Sequence, residues 1–298
     1  MQNRDTFSSY HPLVNFLFFA IVLGCTMFFM HPVSLCISFF SAFLYSLYLK
    51  GWKAVRFFLM YLLPMMLMAA ILNPAFSHEG VTILTYLPSG NPLTLESILY
   101  GIGAAGMLAA VVLWFSCYTE VMTSDKFVYL FGRLIPSLSL LLSMTLRFVP
   151  HFQAQFRVVR ESQKCVGRDF SDGNIFLRMK HMVTIFSIMV TWALENAIET
   201  ADSMKSRGYG LKGRTAFSIY CFDRRDRWAI IWLLFCGGVI LYGVFSGCLK
   251  WQYFPMIKGT EGSAAAVCVQ VVYMALCSTP VFLNRREDRK WNCLRSEI

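Results

Sequence analysis

The chain has 298 residues, of which 56% are hydrophobic and only 15% charged, and its mean hydropathy is +0.53. Soluble domains carry about a quarter charged residues, so this composition sets the chain apart from soluble enzymes and binding modules and points to the bilayer. The formal net charge is +10. Its basic residues are scattered along helical segments without alternating aromatics, which argues against nucleic acid and for loops facing anionic lipid on the cytoplasmic side.

At the N-terminus Arg4 is followed at once by Asp5, and no small-residue cleavage site follows the first apolar run. That run is therefore expected to stay as a membrane helix rather than leave as a signal peptide. A spanning helix needs about 20 mainly apolar residues. The sequence offers such stretches at Leu13–Met30, Val33–Leu49, Phe57–Leu72 and Ser97–Tyr118. His31-Pro32 between the first two predicts a tight hairpin, and Lys50-Gly51-Trp52-Lys53 separates the second from the third. Inside the fourth, Gly101-Ile102-Gly103-Ala104-Ala105-Gly106 matches GxGxxG. That pattern grips a dinucleotide only between a strand and a helix. Here Gly101, Ala105 and Ala109 are four apart, the spacing of close helix packing in a membrane.

From Thr119 to Arg227 the character changes: 16 Lys or Arg and 10 Asp or Glu appear, with apolar stretches only at Leu138–Met144 and Met182–Leu194. Both are short for a span, so the region is expected to form long amphipathic helices beneath the bundle. One helix reads from Ser137 through Leu146-Arg147-Phe148-Val149, is kinked or restarted by Pro150, and can end at Gly167. A second carries Leu194, Ala197, Ile198, Ala201 and Met204 on one apolar face, with Glu195, Glu199 and Asp202 opposite, and can end at Gly208. Each is thus expected to finish in a glycine-terminated tip with basic residues beside it, Arg207 standing at the second.

Two further spans follow at Trp228–Cys248 and Ala264–Leu283. The expected organisation is four spans over 1–118, a cytoplasmic coupling-helix region over 119–227, and two spans with a cytoplasmic C-terminus over 228–298. With the N-terminus inside, only Lys250 and Lys258 of the 27 Lys and Arg residues fall outside, so both termini are expected in the cytoplasm. The fold class is all-α, a polytopic membrane helical bundle with long amphipathic cytoplasmic coupling helices.

Chemistry-bearing patterns are few. The ten cysteines form no CxxC pair and read as small hydrophobes. No GxxxxGK[ST] phosphate loop occurs, so the chain is not expected to hydrolyse ATP itself. The spans carry almost no ionisable groups, which argues against a proton-coupled carrier, a charged channel filter or an intramembrane metalloenzyme. Glu96 and Glu120 sit at span ends, and His151 and His181 stand alone as surface or packed histidines rather than ligands. No metal or bound cofactor is expected. A self-contained permease or channel would need polar residues lining the spans, and an intramembrane enzyme a nucleophile–base or acidic cluster.

Against this background the chain resembles the transmembrane T component (EcfT/CbiQ-like) of energy-coupling factor transporters, bacterial and archaeal importers of the ABC type. The likeness runs over nearly the whole chain. It rests on His11-Pro12, Leu93-Thr94-Leu95-Glu96, Leu146-Arg147-Phe148-Val149-Pro150 and Glu161-Ser162-Gln163-Lys164. Its most specific stretch is Ala201-Asp202-Ser203-Met204-Lys205-Ser206-Arg207-Gly208-Tyr209-Gly210, followed by Gly213-Arg214-Thr215.

The resemblance implies a non-catalytic subunit in the cell membrane. Its implied partners are two ABC-type ATPases, identical or different, which bind the ATP, and a small substrate-capturing S component for a vitamin or metal ion. It also implies two Ala-Arg-Gly-like docking motifs at the ends of coupling helices. Ser206-Arg207-Gly208 matches the second. The first falls at Cys165-Val166-Gly167, where Val166 replaces the arginine and Lys164 or Arg168 is left to supply the charge.

Overall fold

The computed structural model describes residues 5–77, 80–86, 92–132, 136–167, 175–209, 220–259 and 263–296. Its helices are α1 (Pro12–Phe28), α2 (Pro32–Lys50), α3 (Trp52–Phe76), α4 (Leu95–Val121), α5 (Ser124–Gly132), α6 (Pro136–Cys165), α7 (Ile175–Ser206), α8 (Arg224–Phe245) and α9 (Ala264–Ser296). Two small antiparallel hairpins complete it, β1 (Ile83–Tyr86) with β2 (Pro92–Thr94) and β3 (Trp251–Gln252) with β4 (Lys258–Gly259). The all-α membrane bundle expected from composition is the fold, with these hairpins as additions that the apolar pattern did not signal.

Local chemistry sets the helix ends. Pro12 and Pro32 open α1 and α2, where a missing N–H costs nothing, and the His11 ring accepts from the Leu13 N–H at 3.2 Å. Gly51, at φ 55°, ends α2. The third helix is longer than its apolar run. Its turn at Phe58–Leu62 is widened to a π-helix just before Pro64, whose ring would otherwise meet the carbonyl four residues back. The Thr94 side chain caps α4 by accepting from the Ser97 N–H. α8 begins four residues before the expected Trp228, because Asp226 holds its first turn by accepting the Asp223 N–H at 3.0 Å.

The described residues form two units, 1–123 with 220–298, and 124–219. In the first, α4 packs on α1, α2 and α3, while α9 packs on α2 and α8. Its centre is aromatic: Phe18 meets Phe7, Phe19 and Trp114 edge-on at 5.1, 5.2 and 5.8 Å. Within the bundle, Thr26, Ser38, Tyr273 and Trp114 satisfy one another, at 2.8 Å for Thr26–Ser38, 3.2 Å for Thr26–Tyr273 and 3.0 Å for Trp114–Ser38. Polar groups at membrane depth have no water to turn to, so they bond across helices. The small-residue reading of Gly101 is borne out. It is buried against the Ala70 carbonyl of α3, which lies 3.0 Å from where a Cβ would stand, and Ala105 and Ala109 are buried below it.

At one end of this unit, Asp5 accepts from Tyr45 and from the Asn284 amide, and Asn284 in turn accepts the Phe7 N–H at 3.1 Å. Asp226 accepts the His11 N–H there at 3.1 Å. At the other end, the Tyr253 hydroxyl donates to the Met30 carbonyl at 3.0 Å, and His31 packs against Trp251 and lies within hydrogen-bond distance of Gln270.

Among the described residues, six helices are long and apolar enough to cross a membrane: α2, α3, α4, α7, α8 and α9; α1, at 17 residues, is apolar but shorter. α7 was expected to be amphipathic, yet it meets the same criterion, with the lowest mean hydropathy of the six at 1.3. Its apolar run is Met182–Leu194, with Arg178, Lys180 and His181 before it and Glu195, Glu199, Asp202 and Lys205 after it.

Candidate docking tips of the second unit

The second unit is built on α6 and α7. Val159, Ile185 and Met189 form its small buried core, flanked by Phe152 and Trp192. Phe148 stacks on Trp192 at 5.9 Å and His151 meets the same ring edge-on at 5.2 Å. Residue numbers rise along α6 as they fall along α7 at these contacts, so the two helices run antiparallel. The helix passes through Pro150 unbroken.

Antiparallel packing sends the two tips to opposite ends of the pair. Arg207, Gly208 and Tyr209 share a groove of ≈ 1070 Å³ with Met144, Arg147 and His151 of α6, whereas Cys165 lies 21 residues beyond Met144 along α6. At 1.5 Å per residue that is on the order of 30 Å.

Both tips end as the sequence predicts. Gly208 has φ +79° and Gly167 φ +76°, conformations that cost a residue with a Cβ. At the second tip the Gly208 N–H donates to the Lys205 carbonyl and the Tyr209 N–H to the Met204 carbonyl, both at 3.0 Å. This is a complete Schellman closure, so the backbone satisfies these end carbonyls itself. The Ser206 hydroxyl donates to the Ser203 carbonyl at 2.9 Å. The exposed Arg207 side chain makes no hydrogen bond or ion pair with any described residue. At the first tip the Gly167 N–H donates to the Lys164 carbonyl at 3.0 Å and the Val166 N–H to that of Gln163 at 3.2 Å. Val166 is 68% exposed, and Lys164 and Cys165 are exposed beside it. Arg168, Gly210, Gly213, Arg214 and Thr215 lie outside the described residues.

Of the apolar stripe Leu194, Ala197, Ile198, Ala201 and Met204, the first four are exposed, Leu194 and Ile198 at 62% and 65%, and Met204 lines the groove. The polar residues Asn196, Glu199, Thr200, Ser203 and Arg207 line the groove beside it. These polar residues also recur at helical spacing in the sequence. Sequence reasoning missed that Arg147 and His151 share this groove. Among the described residues, no three His, Cys, Asp or Glu side chains come together as metal ligands.

The family model described as "CbiQ: Cobalt transport protein" matches residues 6–217 of the 298. The chain belongs to the CbiQ/EcfT family. Among relatives of this CbiQ-family chain, one named as the energy-coupling factor transporter transmembrane protein EcfT of Listeria monocytogenes is 36% identical over 110 residues. That match covers 36% of this chain and 41% of the relative. Another EcfT, from Lacticaseibacillus paracasei, is 34% identical over 111 residues, 37% of this chain and 40% of its own. An uncharacterized protein of Mycoplasma pneumoniae is 28% identical over 162 residues, 50% of this chain and 37% of its own. The matched stretches thus span about two fifths of the length of these relatives. The CbiQ match takes in both tips and ends before α8 and α9, which pack on α1 and α2.

Proposed function

We propose that this multi-pass membrane protein is the scaffold and coupling subunit of an energy-coupling factor importer. Two ABC-type ATPases, identical or different, bind and hydrolyse ATP. A small membrane S component captures a vitamin or metal ion. The chain itself performs no chemistry; it transmits the motion of the ATPases through α6 and α7 to the S component, which topples and releases its cargo inside. Both termini and the 124–219 unit face the cytoplasm of a bacterial or archaeal cell.

The observation that supports this best is the division of labour at the second tip. Gly208 and Tyr209 close the helix, Ser206 bonds back to it, and Arg207 is left with a guanidinium that its own helix does not use. A planar fork of donors held at a rigid helix end suits a carboxylate in a partner groove. The first tip offers an exposed Val166 instead, so it docks through apolar contact with Lys164 beside it. Two tips on the order of 30 Å apart along one helix pair suit two partner subunits rather than one.

The test is co-purification. Arg207→Glu should strip an ATPase from the complex or uncouple hydrolysis from uptake, since truncating one side of a buried charge pair costs about 2–5 kcal/mol. Lys164→Glu should do less. Intact assembly and transport with Arg207→Glu, together with failure of Lys164→Glu, would reverse the assignment of the stronger dock. The purified chain alone should show no ATPase activity above a mock preparation.

A further inference from the structure

A second concavity lies in the unit formed by 1–123 and 220–298. It is a groove of ≈ 580 Å³ between α8 and α9. Phe7, Tyr10 and Val14 form its floor, Trp228 and Trp232 one wall, Ala275 and Phe282 the other. Trp232 Nε1 of α8 donates to the Thr279 hydroxyl of α9 at 3.3 Å, so the two walls are joined there and the polar atoms of both groups are used, leaving a mainly hydrocarbon lining. Trp228 and Phe282, at the lips, are 74% and 67% exposed. From Arg225 to Trp232 the groove follows α8 for seven residues, about 10 Å, against about 15 Å for one leaflet of the hydrocarbon core.

One end of the groove is charged. Arg225 lines it, with its guanidinium carbon 5.9 Å from the Tyr10 ring centroid, 3.6 Å from an Asp223 oxygen, and 65% of its side chain exposed. The adjoining segments 223–227 and 285–290 hold seven Arg or Lys against four Asp or Glu. Three of the acids are engaged by other groups: Asp226 by the His11 and Asp223 N–H groups, Asp288 by the Tyr48 hydroxyl and Glu287 by Lys290; the fourth, Asp223, pairs with Arg225 itself. The net field at the mouth is positive, and the groove below it is apolar.

From this we infer that the groove is a binding site for an anionic phospholipid, one acyl chain lying along its apolar lining and the phosphate held at Arg225. Basic residues at a membrane helix end attract anionic headgroups, a guanidinium engages phosphate oxygens in pairs, and tryptophans suit the headgroup level. The bound lipid would fill the seam between the two helices that lie beyond the family match, tying α9 to α8 and to the N-terminal segment.

Native mass spectrometry of the full chain, equilibrated in mild detergent with equal phosphatidylglycerol and phosphatidylethanolamine, tests this. The expected result is selective retention of one phosphatidylglycerol. Arg225→Gln should weaken that retention about tenfold, the loss of one charge-assisted contact. Ala275→Trp should abolish it by filling the groove; Arg225→Gln, at an exposed side chain, carries the test should that larger change perturb folding. Equal retention of both lipids, undiminished phosphatidylglycerol on Arg225→Gln, or a co-purifying protein helix displaced by Ala275→Trp would each overturn the inference.

Discussion

The backbone N–H of Tyr209 donates to the carbonyl of Met204 at 3.0 Å, and this bond closes α7 without any help from the side chain of Arg207. Two substitutions one residue apart should therefore behave differently. Gly208→Ala places a Cβ at φ +79° and should loosen the last turn by about 1 kcal/mol. Arg207→Ala should change stability by less than about 0.5 kcal/mol. Amide exchange at residues 203–209 measures both. Equal fraying would mean that Arg207 is a cap after all.

The orientation can be read by labelling. Thr85 lies in the exposed β1 strand and Glu161 on the exposed surface of α6. In a cysteine-free background, Thr85→Cys should react with an impermeant thiol reagent from outside intact cells. Glu161→Cys should react only once the membrane is opened. Labelling of Glu161→Cys from outside would invert the topology and remove the cytoplasmic docking proposal with it.

Close helix packing gives a stability prediction. A Cβ on Gly243 of α8 would stand 2.6 Å from a Val269 methyl of α9, and one on Gly101 would stand 3.0 Å from the Ala70 carbonyl of α3. The carbonyl is backbone and cannot rotate away. Gly101→Val should thus cost about 1–3 kcal/mol by overpacking, seen as a lower thermal midpoint in detergent. Gly106, with nothing within 4 Å of such a Cβ, should tolerate alanine.

His31 gives the pH dependence. Burial holds its pKa below the usual value near 6.5. The folded chain therefore binds fewer protons at this ring than the unfolded chain does. Its stabilising contribution is present above about pH 6.5 and is lost as pH falls toward the depressed folded value. The groups around it are the Gln270 amide, 3.3 Å from Nδ1, and the Trp251 ring. Thermal melts between pH 7 and 5 should show this loss, and His31→Gln should flatten it. An unchanged slope in that variant would assign the acid sensitivity elsewhere.

The sequence by itself determined the elements and several of their ends. Runs of about 20 apolar residues have few fates other than membrane helices. His31-Pro32, Gly51, Gly167 and Gly208 impose backbone limits that neighbours cannot override, so the hairpin, the break and the two tips stand where the residues put them. Tertiary structure decided what faces what. Leu194 and Ile198 are exposed while Ser203, Met204 and Arg207 line the groove. Only packing could show that the two tips lie at opposite ends of an antiparallel pair. The same is true of the link between Asp5 and Asn284, 279 residues apart, and of the apolar seam that α8 and α9 leave open beside Arg225. These depend on contacts between distant segments, and no local spacing along the chain encodes them.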